Sequence, residues 1–289
     1  MKKIKMGKTL MAMVLVLSLS LLFTACGNTD EETGDSDTTE QTKITIVGST
    51  SVGPHMDALT KMYNDSVDGS ISFTVEQVGS GQGIQAVSDG SADIGMSSRE
   101  LKEDEGPMEE FQLCTDGISI IVNSANPVED ITMEQLKAIY MGEITNWSEL
   151  GGEDAEINLY TRESTSGTRG AFEELVLGKD ANDEQIVIDE TICAAVQNSN
   201  GQLGQGVESD PYAIGYLSMG LVENYSIKTL SIDGVEATTE NIENGSYVLS
   251  RPFLLLTLTT PEGNVSDFLN WLISNADARE YLEENGFIV

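Results

Sequence analysis

The feature that most narrows the fold is an alternation of two hydrophobic periods along residues 43–289. Apolar runs at 44–47, 71–78, 118–122, 157–160, 213–217 and 253–258 read as strands. Between them, 56–63, 132–140, 168–177 and 265–273 carry helical patterns; in the last, Val265, Phe268, Leu269 and Leu272 share one face. Strands that alternate with helices call for an α/β fold, because each helix needs a sheet on which to bury its apolar stripe. Roughly 250 residues make one large or two medium domains, and two are expected. No internal repeat is visible.

The chain opens differently. Lys2, Lys3, Lys5 and Lys8 precede an uncharged apolar run, 10–23, which is shorter than the roughly 20 residues a spanning helix needs. Residues 1–25 therefore read as a secretory signal peptide. The run ends at Thr24-Ala25-Cys26, small residues before a cysteine, which resembles the lipobox of bacterial lipoproteins. The resemblance makes Cys26 the acylated N-terminus of the mature chain. Two acyl chains anchor stably, since each buried methylene adds roughly 0.8 kcal/mol. Residues 26–42 read as a disordered acidic tether, having no apolar residue between 27 and 41 with which to build a core. The expected location is the extracytoplasmic face of the cell membrane, lipid-anchored.

Against 48 acidic residues stand 15 basic ones, a formal charge of −33, and four of those lysines belong to the signal. Such a surface is solvating and repels nucleic acid, so no nucleic-acid partner is expected. It also makes any cluster of arginines conspicuous. With a single histidine, multi-histidine zinc sites are excluded, and neither metal nor cofactor is expected. His55 itself reads as a surface residue at a helix start. Once Cys26 is set aside, Cys114 and Cys193 remain, either as a disulfide or as two buried thiols.

Beyond the signal there are five arginines, and three of them adjoin runs of Ser, Thr and Gly. These are Ser97-Ser98-Arg99, and Arg162 and Arg169 on either side of Glu163-Ser164-Thr165-Ser166-Gly167-Thr168. A guanidinium presents a fixed fork of donors to an oxyanion, and hydroxyls and free backbone N–H groups complete the shell. The segment after Thr161 predicts a strand, a turn of small residues and a helix starting near Ser166. A helix start exposes unpaired N–H groups at the positive end of the macrodipole, an anion site by construction. Its first turn holds Gly167, Thr168 and Arg169 rather than the usual carboxylate, which leaves that place to an external anion; simple capping by Ser166 is the plainer account. Gly48-Ser49-Thr50-Ser51-Val52-Gly53-Pro54 repeats the arrangement after the first strand. Gly79-Ser80-Gly81-Gln82-Gly83 fails as a dinucleotide fingerprint, because Ile84 stands where the third glycine belongs, and reads as a flexible turn.

Taken together these segments resemble the PstS-type phosphate-binding lipoproteins, the substrate-binding components of phosphate ABC transporters. The marks also include Asp93-Ile94-Gly95-Met96 ahead of Ser97, Asp116-Gly117-Ile118, Ile139-Tyr140 with Gly142, and Asn146-Trp147. The resemblance implies a two-lobed periplasmic-binding-protein-like fold of type II, with two crossover strands and a ligand cleft between the lobes. Lobe I would be 43–123 with 247–289, and lobe II 124–246. It implies capture of inorganic phosphate by a monomer and delivery to a membrane permease, with no catalysis.

The implied phosphate-binding residues are Ser49, Thr50, Ser51, Ser98, Arg99, Asp116, Arg162, Ser166, Gly167 and Thr168. Some relatives place an acidic acceptor directly after the serine of the Ser98 segment. Here Arg99 stands there, and Asp116 takes the role; alternatively Asp116-Gly117 only shapes a hairpin turn. The same helix starts and hydroxyls would serve sulfate or molybdate. A secreted serine hydrolase has little basis, since His55 is the sole imidazole and no serine lies in a GxSxG turn.

Overall fold

The computed structural model describes residues 42–67 and 71–289. The expected signal peptide, Cys26 and the tether up to residue 41 lie outside the described residues. The elements in chain order are β1 (Lys43–Gly48), α1 (Gly53–Ser66), β2 (Ser72–Gln77), α2 (Ser80–Ser88), β3 (Ile94–Ser97) and β4 (Glu109–Asn123). Then follow β5 (Asp130–Ile131), α3 (Met133–Tyr140), β6 (Asn158–Arg162), α4 (Gly167–Phe172), β7 (Ala195–Gln197) and α5 (Asn200–Ser209). The chain closes with β8 (Ala213–Ser218), β9 (Ile227–Ile232), α6 (Thr239–Glu243), β10 (Ser250–Thr257), α7 (Gly263–Ser274) and α8 (Ala276–Glu284).

Two apolar cores form on the two ends of one strand path, β2-β1-β3-β10-β4-β8-β6-β7. In the first, β1 runs parallel to β2 and β3, and it is covered on both faces, as parallel strands generally are. Ile44 and Ile46 pack with Met56, Leu59 and Tyr63 of α1, while Val47 points the other way against Val87 of α2. Phe73, Phe268 and Trp271 surround Tyr63 at ring separations of 5.1 to 6.1 Å. Each such side chain contributes about 1.5–3 kcal/mol on burial. The second core gathers Ile118, Ile120 and Val122 of β4 with Leu136, Tyr140, Trp147, Phe172 and Tyr216. Phe172 stacks on Tyr216 at 4.3 Å, and the Trp147 indole donates to the Tyr212 carbonyl at 2.9 Å.

Strand β4 serves both cores. Its first part pairs antiparallel with β10 up to Gly117↔Ser250, and from Ile118 onward it pairs with β8 and β9. Cys114 belongs to the first core and Ile118 to the second; on the way back Leu249 belongs to the second and Phe253 to the first. The chain thus crosses twice, on neighbouring strands at the same level. The C-terminal segment joins there too, since Thr115 and Ile288 exchange backbone hydrogen bonds of 2.7 and 3.0 Å.

Several expectations change. Asp116-Gly117 forms no hairpin turn, because β4 runs straight through it for 15 residues. The helix expected at 168–177 is α4 followed by a π turn, Glu173–Leu177. His55 is buried, with its ring edge-on to Phe287 at 4.7 Å and Nδ1 3.3 Å from the Tyr281 hydroxyl. Between the two readings left open for Cys114 and Cys193, the thiols are free, Cys114 buried and Cys193 half-buried. Strands β3, β7 and β9 and helices α5 and α8, too short or too polar to stand out in the sequence, complete the framework. Among the described residues no helix is long and apolar enough to cross a membrane.

Candidate functional site

Three strands end at one place, each followed by small hydroxyl residues. After β1, Gly48 has φ +144°, and a Cβ there would lie 2.2 Å from the Met96 carbonyl oxygen, so only glycine permits this approach to β3. Ser49 turns the chain, its Oγ accepting from the N–H groups of Ser51 and Val52 at 3.1 and 3.3 Å. Thr50 and Ser51 are thereby held buried at the start of α1. At the end of β3, Ser98 donates its N–H to Ser80 Oγ at 3.1 Å, and the two hydroxyls are 3.3 Å apart. After β6, Ser166 caps α4 by accepting from Arg169 N–H at 3.3 Å, which leaves Gly167 and Thr168 in the first turn. First-turn N–H groups have no intrahelical partner, and the aligned peptide dipoles make that end positive. The carboxyl ends of the strands of an open α/β sheet are where ligands bind.

These segments come from both cores and touch. Ser51 Oγ lies 3.0 Å from Thr168 Oγ1. Asn200, at the start of α5, donates Nδ2 to Ser51 Oγ at 2.7 Å and to Thr50 Oγ1 at 3.1 Å. Gly81 N–H donates to the Thr165 carbonyl at 3.0 Å. Gly167 is seated so closely that a Cβ on it would fall 2.1 Å from Ser80 Oγ and 2.6 Å from Ser98 Oγ.

Two buried arginines supply the charge. Arg162 is fixed along one edge, with Nε and Nη2 donating to the two Glu163 carboxylate oxygens at 2.9 and 2.8 Å and Nε also to the Gln197 carbonyl. Its backbone N–H donates to the Tyr216 hydroxyl, whose pKa burial pushes up. Arg251 of β10 donates Nε and Nη2 to Asp116 Oδ2 at 3.1 and 2.9 Å, and Nη2 reaches Ser51 Oγ at 3.1 Å. In each guanidinium the remaining Nη1 is buried and has no hydrogen-bond partner among the described residues. Burial lowers the Arg251 pKa, Asp116 opposes this, and the neighbouring Arg162 charge lowers it further. Two buried cations near enough for one to lower the other's pKa, each with a donor to spare, favour an anion.

Of the residues expected here, Thr50, Ser51, Ser98, Arg162, Ser166, Gly167 and Thr168 are brought together, and Ser49 shapes the turn that presents two of them. Asp116 lies behind Arg251, accepting also from Ser218 Oγ at 2.9 Å, and burial raises its pKa against those partners. Arg99 is turned to Glu105, its two Nη atoms binding that carboxylate at 2.8 and 2.6 Å. Arg169, the third arginine of the sequence pattern, ties Glu173 and Glu190 to the Arg162 and Ile188 carbonyls. Ser80, Asn200 and Arg251 were not foreseen. The Gly79-Ser80-Gly81 turn was the available signal for Ser80; Arg251 and Asn200 lie in no local motif. No group of three His, Cys, Asp or Glu side chains among the described residues is placed to hold a metal ion.

Residues 33–276 match the PBP superfamily domain. The phosphate-binding protein PstS of Bacillus subtilis (strain 168) is 31% identical over 96% of this chain and 93% of its own length. That of Borreliella burgdorferi is 29% identical, covering 97% of this chain and 98% of its own. A Clostridium perfringens protein, solved with bound phosphate and described as a phosphate ABC transporter substrate-binding protein, superposes with a TM-score of 0.76 at 36% identity. It covers 85% of this chain and 98% of that one. An ABC-type phosphate transport receptor from Vibrio cholerae gives a TM-score of 0.69 at 38% identity, with 85% and 99% covered.

Proposed function

Since the chain belongs to the PstS phosphate-binding proteins of the PBP superfamily, we propose that it captures inorganic phosphate outside the cell and delivers it to the permease of an ABC transporter. It is a binding protein and not an enzyme. The observation that carries this reading is the pair of buried guanidinium Nη1 atoms, Arg162 from one core and Arg251 from the crossing strand, both without a partner among Ser and Thr hydroxyls. The anion would be held by both arginines, by the hydroxyls of Thr50, Ser51, Ser80, Ser98, Ser166 and Thr168, and by the first-turn N–H groups of Gly167 and Thr168. Ser49 and Asp116 act by positioning, Ser49 through the turn and Asp116 through Arg251. The hydrolase reading loses its base, as the His55 ring is buried against Tyr281 and Phe287.

The two lobes, 43–123 with 247–289 and 124–246, close on the anion from either side. The exchange of core partners between Cys114 and Ile118 and between Leu249 and Phe253 supports two lobes, though with crossings before residue 123 and after residue 247 rather than at those bounds. The sequence supports a lipidated Cys26 holding a monomer to the outer face of the membrane by the 26–42 tether. Titration calorimetry of the purified protein with phosphate, sulfate and molybdate tests the ligand. Saturable heat with phosphate at concentrations where the other two give none is expected; stronger binding of sulfate or molybdate would reassign the substrate.

A further inference from the structure

Among the described residues five buried side-chain polar atoms have no hydrogen-bond partner: His55 Nε2, Ser119 Oγ, Arg162 Nη1, Arg251 Nη1 and Asn200 Oδ1. The last three belong to the single group around Ser51. Two are donors and one is an acceptor. An unpaired buried polar atom is unfavourable by about 1–3 kcal/mol, so a site with this set is matched by a ligand that accepts twice and donates once. A fully ionised oxyanion only accepts. Phosphate near neutral pH keeps at least one P–O–H.

Asp116 is the carboxylate that the sequence offers for this hydrogen, but it lies behind Arg251 and most of its capacity is used. A carboxylate has about four lone-pair positions. Arg251 Nε, Arg251 Nη2 and Ser218 Oγ donate to it. Glu163 lies along the Nε edge of Arg162, away from the free Nη1. Asn200 is held in place by Nδ2, which donates to Thr50 and Ser51, and its backbone N–H adds a 3.4 Å contact to Thr50 Oγ1. With Arg251 and Asn200 both donating to Ser51 Oγ, the Ser51 hydrogen is directed to Thr168 Oγ1, and the Thr168 hydrogen is left for the ligand. The amide thus orders the hydroxyls as donors and leaves its own oxygen as acceptor.

We propose that Asn200 is the specificity residue of this site, its Oδ1 accepting the P–O–H of phosphate and so disfavouring tetrahedral anions that carry no proton. The proposal rests on the phosphate reading. It differs from specificity by charge repulsion, since the acceptor is neutral, and it separates two anions of equal charge when only one carries a hydrogen.

Monofluorophosphate provides the probe, being a tetrahedral dianion with P–F in place of P–O–H. Calorimetry of the full chain with phosphate, monofluorophosphate and sulfate is run on wild type, Asn200→Ala and Asn200→Asp, with thermal melts to show that each is folded. Wild type should prefer phosphate to monofluorophosphate by about tenfold or more. Asn200→Ala should weaken every anion through loss of the Thr50 and Ser51 bonds, yet bring phosphate and monofluorophosphate within about threefold of each other. Asn200→Asp, which retains an acceptor, should keep or widen the preference. Equal affinities in wild type would overturn the proposal, and that arm needs no variant. So would an unchanged phosphate-to-monofluorophosphate ratio in Asn200→Ala, which would make the residue a structural latch only. Absence of phosphate binding by wild type, with sulfate bound, would instead remove the phosphate reading beneath it.

Discussion

Arg251→Ala separates two roles that the geometry gives one side chain. The guanidinium neutralises Asp116, with side chains 1% and 0% exposed, and its unpartnered Nη1 is the donor the proposed site gives to the anion. Removing it leaves a fully buried carboxylate with only the Ser218 hydroxyl as hydrogen-bond donor, and breaking a buried pair in this way destabilises by about 3–5 kcal/mol. At about 2–4 °C per kcal/mol for a chain of this size, the melting temperature should fall by roughly 6–20 °C. Burial already raises the Asp116 pKa, and losing the guanidinium raises it further. The native state then binds the proton more tightly than the unfolded chain, so the deficit grows as pH rises and shrinks as the carboxyl protonates. Phosphate affinity should fall by about 2–5 kcal/mol, the range for truncating one member of a buried charged pair, or roughly 30-fold to several thousand-fold. Adding Asp116→Asn removes the stranded charge but restores no donor. The double variant should therefore regain most of the lost melting temperature and none of the lost affinity, by thermal melts without ligand and calorimetry with phosphate. Recovery of wild-type affinity in the double variant would show that Arg251 acts only by neutralising Asp116, and the two-arginine site would be wrong.

Arg162→Lys should lose phosphate affinity by at least tenfold in the same calorimetry, because an ammonium cannot hold Glu163 along one edge and present a second donor on the other; affinity within twofold of wild type would refute the role. Gly167→Ala places a methyl 2.1 Å from Ser80 Oγ and should lower phosphate affinity while leaving the melting temperature of the ligand-free protein nearly unchanged, since the clash arises only between segments of the two cores. Equal affinity would mean that these segments need not meet. His55 is held neutral by burial, its pKa lowered from 6.5 to about 4. Its contribution is complete above pH 6.5 and is lost as pH falls toward 4, by up to about 3 kcal/mol; His55→Asn should flatten the acid limb of the stability curve by that amount, and parallel curves would refute it. Cys26→Ser should move the mature protein from the membrane to the soluble fraction in cells lacking the permease, and unchanged partition would exclude the lipid anchor.

The strands that bury both faces were legible, because the runs at 44–47 and 213–217 contain little but apolar residues. So were the helices with a clear stripe, such as α3 within the pattern at 132–140, whose start the structure shows to be a Thr132 capping box. Short elements on polar segments were not. Helix α5 reads Asn-Gly-Gln-Leu-Gly-Gln-Gly-Val-Glu-Ser, three glycines against two aliphatic residues, and only packing of Leu203 and Val207 against Ile121 and Leu217 makes it a helix. Asn200, at its first position, was hidden for the same reason. In the site, the hydroxyl turns could be read because each is a local sequence of small residues at a strand end. The turn of Arg99 was hidden for a complementary reason: nothing local says whether a guanidinium turns toward Ser98 or toward Glu105, six residues on.

Arg251 is different, since a physical argument from the sequence could have reached it. Asp116 stands two residues before the apolar run 118–122, and Arg251 two residues before 253–258. A charge carried into a buried strand needs a partner, because an isolated one is excluded from the interior by far more than folding can supply. Two opposite charges at the same offset from two apolar strands satisfy that need together if the strands are neighbours with those residues opposed. The register found, Arg251↔Asp116 in antiparallel pairing, is that solution. The arginine was therefore required by the carboxylate before it was required by any ligand. Its third nitrogen, left over from the pairing, is the donor on which the proposed anion site draws. The two roles are coupled in the fold, because whatever shifts β4 against β10 shifts the donor as well. A lock on the register at this level, such as a disulfide engineered across β4 and β10 away from Asp116, should leave phosphate affinity intact if the crossing is a fixed frame on which the remainder of each core turns. Affinity lost by more than tenfold on oxidation and regained on reduction would show instead that the strands themselves slide during closure.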